Sequence, residues 1–197
     1  FRRVLFRSPF NYFFCTGQYY VDLLSPFSER TTFLINAVNK KAEVEKEKVG
    51  FDRCRSVLFL LLKSEVTIGD TTFVTKEESD FMINLCIETK RRFSNINITA
   101  RPHPDTVLEK DVVSSFNKYG IIIDSNLEPN TTLRESKFVV GLCSSMMIES
   151  VEYDCFPIFM EIGIKQMYPD LIMLSAAMRF KTKKEWFRIL EDLLENY

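Results

Sequence analysis

From residue 57 onward, short apolar runs alternate with amphipathic stretches of helical length. The apolar runs are bounded by turn-forming residues and are too short for helices, which predicts strands buried on both faces. The predicted strands are residues 57–62, 96–100, 121–123, 138–141 and 156–160.

The stretches between these runs predict helices with recognisable ends. Thr75 and Glu78 form a capping-box pattern, which favours a helix beginning directly after Thr75. Gly120 is placed to end a second helix in the left-handed conformation. The last helix, from Lys183, carries an apolar stripe wider than a peripheral tail needs, which predicts a face that contacts a partner outside this domain. That stripe consists of Trp186, Ile189, Leu190, Leu193 and Leu194, and the other predicted helices are 107–118, 131–135 and 146–153.

Buried strands separated by helices predict a Rossmann-like α/β fold, with a parallel sheet flanked by helices on both faces. In such folds, ligands bind in the loops that follow the carboxyl ends of the strands. Residues 57–197 are therefore expected to form one Rossmann-like domain whose chemistry lies in a few loops.

The residues before this pattern are of a different kind. Residues 3–8 match the translation of a common sequencing adapter, so we expect residues 1–8 to be foreign to the fold. Residues 9–56 are interpreted as the remnant of an N-terminal domain and a linker, with a helix from Ser28 into the charged segment 40–48.

Composition narrows the functional classes. The net charge is -1, which argues against unspecific binding of nucleic acid. No apolar run approaches the roughly 20 residues of a membrane span. The 5 cysteines are widely spaced without a CxxC pair, which favours a reducing cytoplasm over a disulfide framework or a zinc site.

The only histidine of the chain lies in the loop after the second predicted strand. His103 stands between Pro102 and Pro104, and Arg101 precedes Pro102. Because proline restricts its own backbone and that of the preceding residue, the imidazole is expected to be held in a defined turn. A histidine that is satisfied locally in a loop is the alternative.

The loop after the fourth predicted strand contains Ser144 and Ser145 and leads directly into a helix. Hydroxyls and N–H groups at a helix N-terminus suit a phosphate, although simple capping by serine explains the pattern equally well. Glu149 could add a carboxylate that accepts a hydrogen bond. An exposed helix glutamate is the alternative.

Two further loops offer weaker candidates. After the third strand, an acidic side chain of the segment 124–129, which contains Asp124 and Glu128, could accept hydrogen bonds from a ribose, while turn chemistry explains the same segment equally well. The segment 67–72 is interpreted as an ordinary turn. The sequence contains no GxGxxG, GxxxxGK[ST] or GxSxG motif, which disfavours dinucleotide oxidoreductases, P-loop NTPases and α/β-hydrolases.

The His-Pro turn and the serine pair together resemble motifs of bacterial sialyltransferases and polysialyltransferases. These enzymes carry [RK]-P-H-P and G-x-x-S-S, which correspond here to residues 101–104 and 141–145. Kdo transferases of capsule synthesis and CDP-glycerol glycerophosphotransferases have related motifs. The chain thus resembles the C-terminal, donor-binding half of a GT-B glycosyltransferase.

The resemblance implies a CMP-linked sugar as donor, a glycan acceptor in surface polysaccharide or lipooligosaccharide synthesis, and no metal or other cofactor. It makes His103 the catalytic residue, a ligand of the donor phosphate and a general acid for the departing CMP. It also implies a cytoplasmic protein that associates peripherally with the inner membrane. The implied donor-binding residues are Arg101, Pro104, Glu128, Ser144, Ser145 and Glu149.

Residues 9–56 show no carboxylate suited to activating an acceptor, which such enzymes carry in the N-terminal half. The expectation is therefore a fragment that lacks its N-terminal GT-B domain and is inactive alone. A CDP-glycerol-type glycerophosphotransferase, a nucleotide-sugar epimerase and a non-catalytic α/β binding module remain alternatives. The single histidine disfavours the epimerase.

Overall fold

The computed structural model describes residues 12–15, 32–35, 53–63, 66–68, 71–125, 129–142, 144–161 and 178–196. The chain divides into two compact units, residues 1–47 and residues 48–197. The predictions for residues 1–8 and for Glu128 lie outside the described residues.

In the first unit, strands β1 (Tyr12–Cys15) and β2 (Thr32–Ile35) pair in parallel. The helix predicted from Ser28 is therefore wrong across β2, where Thr and Ile are β-branched residues that favour a strand. The charged segment 40–48 lies outside the described residues.

The second unit contains a parallel sheet of six strands and a separate antiparallel hairpin among its described residues. This confirms the predicted Rossmann-like α/β class. The strands in chain order are β3 (Ser56–Leu60), the hairpin strands β4 (Val66–Ile68) and β5 (Thr71–Val74), then β6 (Asn97–Arg101), β7 (Ile122–Ile123), β8 (Phe138–Gly141), β9 (Phe156–Met160) and β10 (Met178–Phe180).

Helices connect most of these strands. They are α1 (Lys76–Arg92), α2 (Lys110–Tyr119), α3 (Pro129–Glu135), α4 (Ser145–Glu149) and α5 (Lys183–Asn196), with 3-10 turns at Arg53–Arg55 and Ser150–Tyr153.

Helices cover both faces of the sheet. A strand such as β3 contributes to a core on either face, because successive strand residues point to opposite faces. On β3, Val57 and Phe59 join a core that includes α1, α2 and α5, whereas Leu58 and Leu60 join a second core with α3 and α4. All four side chains are buried. The continuous apolar runs of the sequence are the signature of this two-sided burial.

The predicted helix ends are confirmed at two positions. The Thr75 side chain accepts from the Glu78 backbone N–H, and the Glu78 carboxylate accepts from the Thr75 N–H at 2.7 Å. Gly120 ends α2 with a φ of 68°. That helix begins at Lys110, later than the predicted residue 107, and Val107 is 94% exposed.

Most of the apolar stripe of α5 is covered by this unit, which removes the support for the prediction that part of it contacts an outside partner. Trp186, Leu190 and Leu193 are buried in the core, and Ile189 and Leu194 pack against it. The Trp186 ring meets Phe59 edge-on at 5.6 Å, and its indole N–H donates to the Thr89 hydroxyl at 2.8 Å.

In the second unit, strand β10 and the hairpin of β4 and β5 were not predicted. β10 is a three-residue edge strand with two exposed residues, too short and polar to stand out in the sequence. The segment 67–72, interpreted as a turn, belongs to the β4–β5 hairpin. Among the described residues, no helix is both long and apolar enough to cross a membrane.

Candidate ligand-binding edge of the sheet

The strand order identifies where a ligand is expected to bind. The sheet runs β10-β9-β8-β3-β6-β7, so the chain builds outward from β3 on one side and then returns to β8 on the other. In doubly wound sheets this reversal opens a crevice at the carboxyl ends of the two central strands. By this rule the expected position of the ligand is between β3 and β8.

Both motifs found in the sequence lie at this edge. The His103 turn follows β6, and the loop containing Ser144 follows β8; β3 pairs with both strands in parallel. Neighbouring strands are about 4.8 Å apart, which places the two loops on the order of 10 Å from each other. A nucleotide with its attached sugar can bridge that separation.

His103 is held by its own turn. Its carbonyl oxygen accepts from the Thr106 N–H at 2.8 Å, and its Nδ1 accepts from the Asp105 N–H at 3.2 Å. The Asp105 carboxylate lies 3.8 Å from Nδ1, and the His103 side chain is 49% exposed. The imidazole is thus both fixed in position and open to solvent.

The hydrogen bond at Nδ1 selects one tautomer. An imidazole nitrogen that accepts a hydrogen bond carries no proton, so the neutral ring has its proton on Nε2. The neutral His103 side chain is therefore a hydrogen-bond donor through Nε2. Protonation at Nδ1 would replace this hydrogen bond by an ion pair with Asp105.

Arg101 is engaged in a buried polar network. Its guanidinium contacts the Asp124 carboxylate at 2.5 Å, and the two side chains are only 11% and 4% exposed. The hydroxyl of Thr132, in the middle of α3, donates to the same carboxylate oxygen. Asp124, which was weighed as a ribose ligand or a turn residue, thus binds an arginine and a threonine.

The serine loop shows how α4 begins. Ser144 Oγ accepts from the Met146 N–H at 3.3 Å, which is the capping role that was the alternative to phosphate binding. Ser145 is the first residue of α4, and partly exposed Glu149 is the last. Gly141 is closely packed, because a Cβ there would lie 2.8 Å from Met147 Sδ and the methionine side chain would have to move.

The structure therefore brings His103 and Ser144 to one edge and places Arg101 beneath it, tied to Asp124. Pro104 is exposed beside His103. Sequence reasoning missed the Arg101–Asp124 contact and the position of the crevice. Both depend on which strands are neighbours, and the alternation of strands and helices along the chain contains no information on strand order.

Metal-binding groups are sparse where the structure gives positions. Across its described residues, no cluster of three or more His, Cys, Asp or Glu side chains could hold a metal ion.

No protein-family model matches this sequence, and no curated protein matches it at a significant level. What bears on function is the geometry of the carboxyl edge together with the two motifs that lie on it.

Proposed function

We propose that the second unit binds the CMP moiety of a CMP-linked sugar at the carboxyl edge of its sheet, as the donor-binding half of a GT-B glycosyltransferase. The sugar transferred is a sialic acid or a related sugar, and the acceptor is a glycan. One observation carries the proposal: the His103 turn and the serine loop flank β3 on the same edge, at the crevice where doubly wound folds bind nucleotides.

The chemistry needs a donor at the leaving phosphate. The bond between the anomeric carbon and the phosphate oxygen breaks, the acceptor hydroxyl forms the new bond and loses its proton, and CMP leaves with the electron pair. Negative charge grows on the phosphate oxygen. A hydrogen bond from His103 Nε2 stabilises that charge, since fixed donors aimed at developing charge lower the barrier. In its protonated form, the same imidazole can give its proton to that oxygen.

The other residues have supporting roles in this proposal. Backbone N–H groups of the serine loop and the Ser145 hydroxyl contact the phosphate, while Ser144 holds the loop by capping α4. Pro104 fixes the turn, and Glu128 and Glu149 accept hydrogen bonds from the nucleotide sugar. Arg101 supports the turn from below, because its guanidinium is already paired with Asp124.

Enzymes with these motifs carry the acceptor-activating base in a separate N-terminal domain. The proposal for this chain therefore concerns donor binding, and nucleotide titration is the appropriate test. Peripheral association with the inner membrane, where such acceptors are assembled, belongs to the same proposal.

The test is calorimetric titration of the chain with CMP, CDP, UMP and UDP. The proposal predicts that CMP binds and that UMP and UDP bind at least about tenfold more weakly, the discrimination expected from one or two base-edge hydrogen bonds. Preference for CDP over CMP would favour a glycerophosphotransferase. Equal binding of uridine and cytidine nucleotides, or no binding, would overturn the proposal.

A further inference from the structure

We propose that Asp124 is a positioning residue that acts through Arg101 to fix the His103 turn, and hence the tautomer that His103 presents at the ligand edge. The coupling is a property of the fold. Its use in donor binding rests on the function proposed above, so the two claims are tested by separate readouts.

The first support is the position of the buried ion pair. Arg101 is the last residue of β6 and stands two residues before His103, while Asp124 comes directly after β7. Their contact joins segments 23 residues apart in the chain. The contact thus anchors the strand end from which the His103 turn departs.

The second support is the backbone on either side. The Arg101 carbonyl accepts from the Leu61 N–H at 2.8 Å, and the Ala100 carbonyl accepts from the Asp124 N–H at 2.9 Å. The end of β6 is thus held by its neighbours on both sides as well as through the arginine side chain. Pro102 is the first residue beyond these contacts. Because its ring restricts the backbone, it limits the direction in which the chain continues to His103.

The third support is energetic. A buried ion pair contributes little net stability, and apolar residues of similar volume often serve a fold equally well. Other ion pairs among the described residues are more exposed; Lys183 and Glu88, for example, are 38% and 37% exposed. The buried Arg101–Asp124 pair makes a directional contact near the sole histidine, and it can therefore fix the orientation of the strand end in a way that apolar packing does not.

The sole histidine makes the test direct. In a spectrum of ¹⁵N-labelled protein, the imidazole nitrogens belong to His103 alone, and their shifts report the ratio of the two neutral tautomers. Wild-type protein is expected to favour the Nε2–H form. In Asp124→Asn the end of β6 loses its side-chain anchor, so the turn should loosen and the Asp105 N–H should no longer bond Nδ1. The ratio of the Nε2–H to the Nδ1–H tautomer should then fall about fivefold, the change expected when that neutral hydrogen bond is lost.

Asp124→Asn removes the charge that faces the buried Arg101 guanidinium, which is expected to destabilise the unit, so a second variant is needed. Arg101→Met, Asp124→Leu and Thr132→Val in one chain replace all members of the network by apolar groups of similar size. We expect this variant to fold, as judged by its circular dichroism and urea transition, and to show the same fall in tautomer ratio. The matched control is Lys183→Met with Glu88→Leu, which removes an ion pair from the helical layer and should leave the His103 signals unchanged.

The outcomes separate the two claims. A folded triple variant with wild-type His103 signals would overturn the positioning role, and a triple variant that cannot fold would assign the network to folding and overturn it as well. If CMP fails to shift the His103 signals in the wild-type chain, the proposed function fails, whatever the variants show.

Discussion

The two edges of the second unit's sheet are each held by an arginine, but the two arginines do different work. At the amino edge, Arg53 donates through Nε to the Ser136 carbonyl at 3.0 Å and through its terminal nitrogen to the Tyr153 carbonyl. These carbonyls precede β8 and β9, so one side chain ties together the starts of three strands. The buried Cys155 thiol lies beside the same guanidinium at 3.7 Å.

At the carboxyl edge, Arg101 pairs with a carboxylate, and the chain beyond it turns outward to an exposed imidazole. At the amino edge, the polar groups of Arg53 bond to backbone carbonyls of the same edge. At the carboxyl edge, the polar groups lie next to one side chain that faces solvent, the imidazole of His103. The amino edge is thus tied internally, whereas the carboxyl edge presents an exposed imidazole where we propose that a ligand binds.

Replacing Arg53 should give the largest loss of stability. Arg53→Met leaves two backbone carbonyls without their charged donor, and we expect the free energy of unfolding to fall by about 2 to 4 kcal/mol, measured by urea denaturation. CMP affinity should change less than twofold. Arg91→Ala, at an exposed helix position, is the control and should cost less than about 0.5 kcal/mol.

A smaller effect is expected at Gly141, the last residue of β8. In Gly141→Ala the new methyl group would meet Met147 Sδ at 2.8 Å, so α4 must shift or the methionine must repack. Overpacking of this kind costs about 1 to 3 kcal/mol. A thermal transition unchanged from wild type would show that Met147 yields without cost and would remove the packing reason for this glycine.

Ser144→Ala tests the capping role. Its hydrogen bond to the Met146 N–H is long, at 3.3 Å, and α4 is short, so we expect a loss of about 0.5 to 1 kcal/mol in the free energy of unfolding. Because the backbone donors of the loop remain, CMP affinity should fall less than in a His103 variant. A Ser144→Ala loss of affinity exceeding that of His103→Ala would reverse the assignment of the two loops.

The smallest effect is a pH dependence at the amino edge. Burial raises the pKa of the Cys155 thiol above its ordinary value of 9.0, and Arg53 only partly opposes this. The folded thiol therefore stays protonated where the unfolded one ionises. Stability from this group is fully present below pH 9 and is lost as the pH rises through the folded pKa.

Urea denaturation of Cys155→Ala between pH 8 and pH 10 should thus show a shallower alkaline loss of stability than the wild-type chain. Burial also raises the pKa of Cys86, so part of the slope should remain. Cys54→Ser, at an exposed cysteine, should keep the wild-type slope. An unchanged slope in Cys155→Ala would contradict the burial argument.

How much of this the sequence could predict depends on the range of each interaction. Thr75 with Glu78 and Gly120 are local signals, and the helix ends they predicted are confirmed. Phe138–Gly141 and Phe156–Met160 have the bounds expected from their apolar runs. The α5 stripe was identified correctly, yet its partner was not, because periodicity shows that a face is buried and not what buries it.

The carboxyl edge was harder to predict for the same reason. The rule that ligands bind at strand ends located the His103 and Ser144 loops, and both lie at one edge. The Arg101–Asp124 contact could not be foreseen, since it depends on β6 and β7 being neighbours. Ser144 had two interpretations of equal standing, and only the Met146 N–H contact shows that it caps α4.

The central claim is that the exposed imidazole at the carboxyl edge binds a nucleotide phosphate. The most direct test compares the CMP affinity of the wild-type chain, His103→Ala and Arg53→Met by calorimetry under conditions in which all three are folded. The account predicts an affinity about 10- to 100-fold lower for His103→Ala, since a hydrogen bond to a charged group contributes about 1.5 to 3 kcal/mol, and a near-normal affinity for Arg53→Met. Equal CMP affinity in wild type and His103→Ala would contradict it.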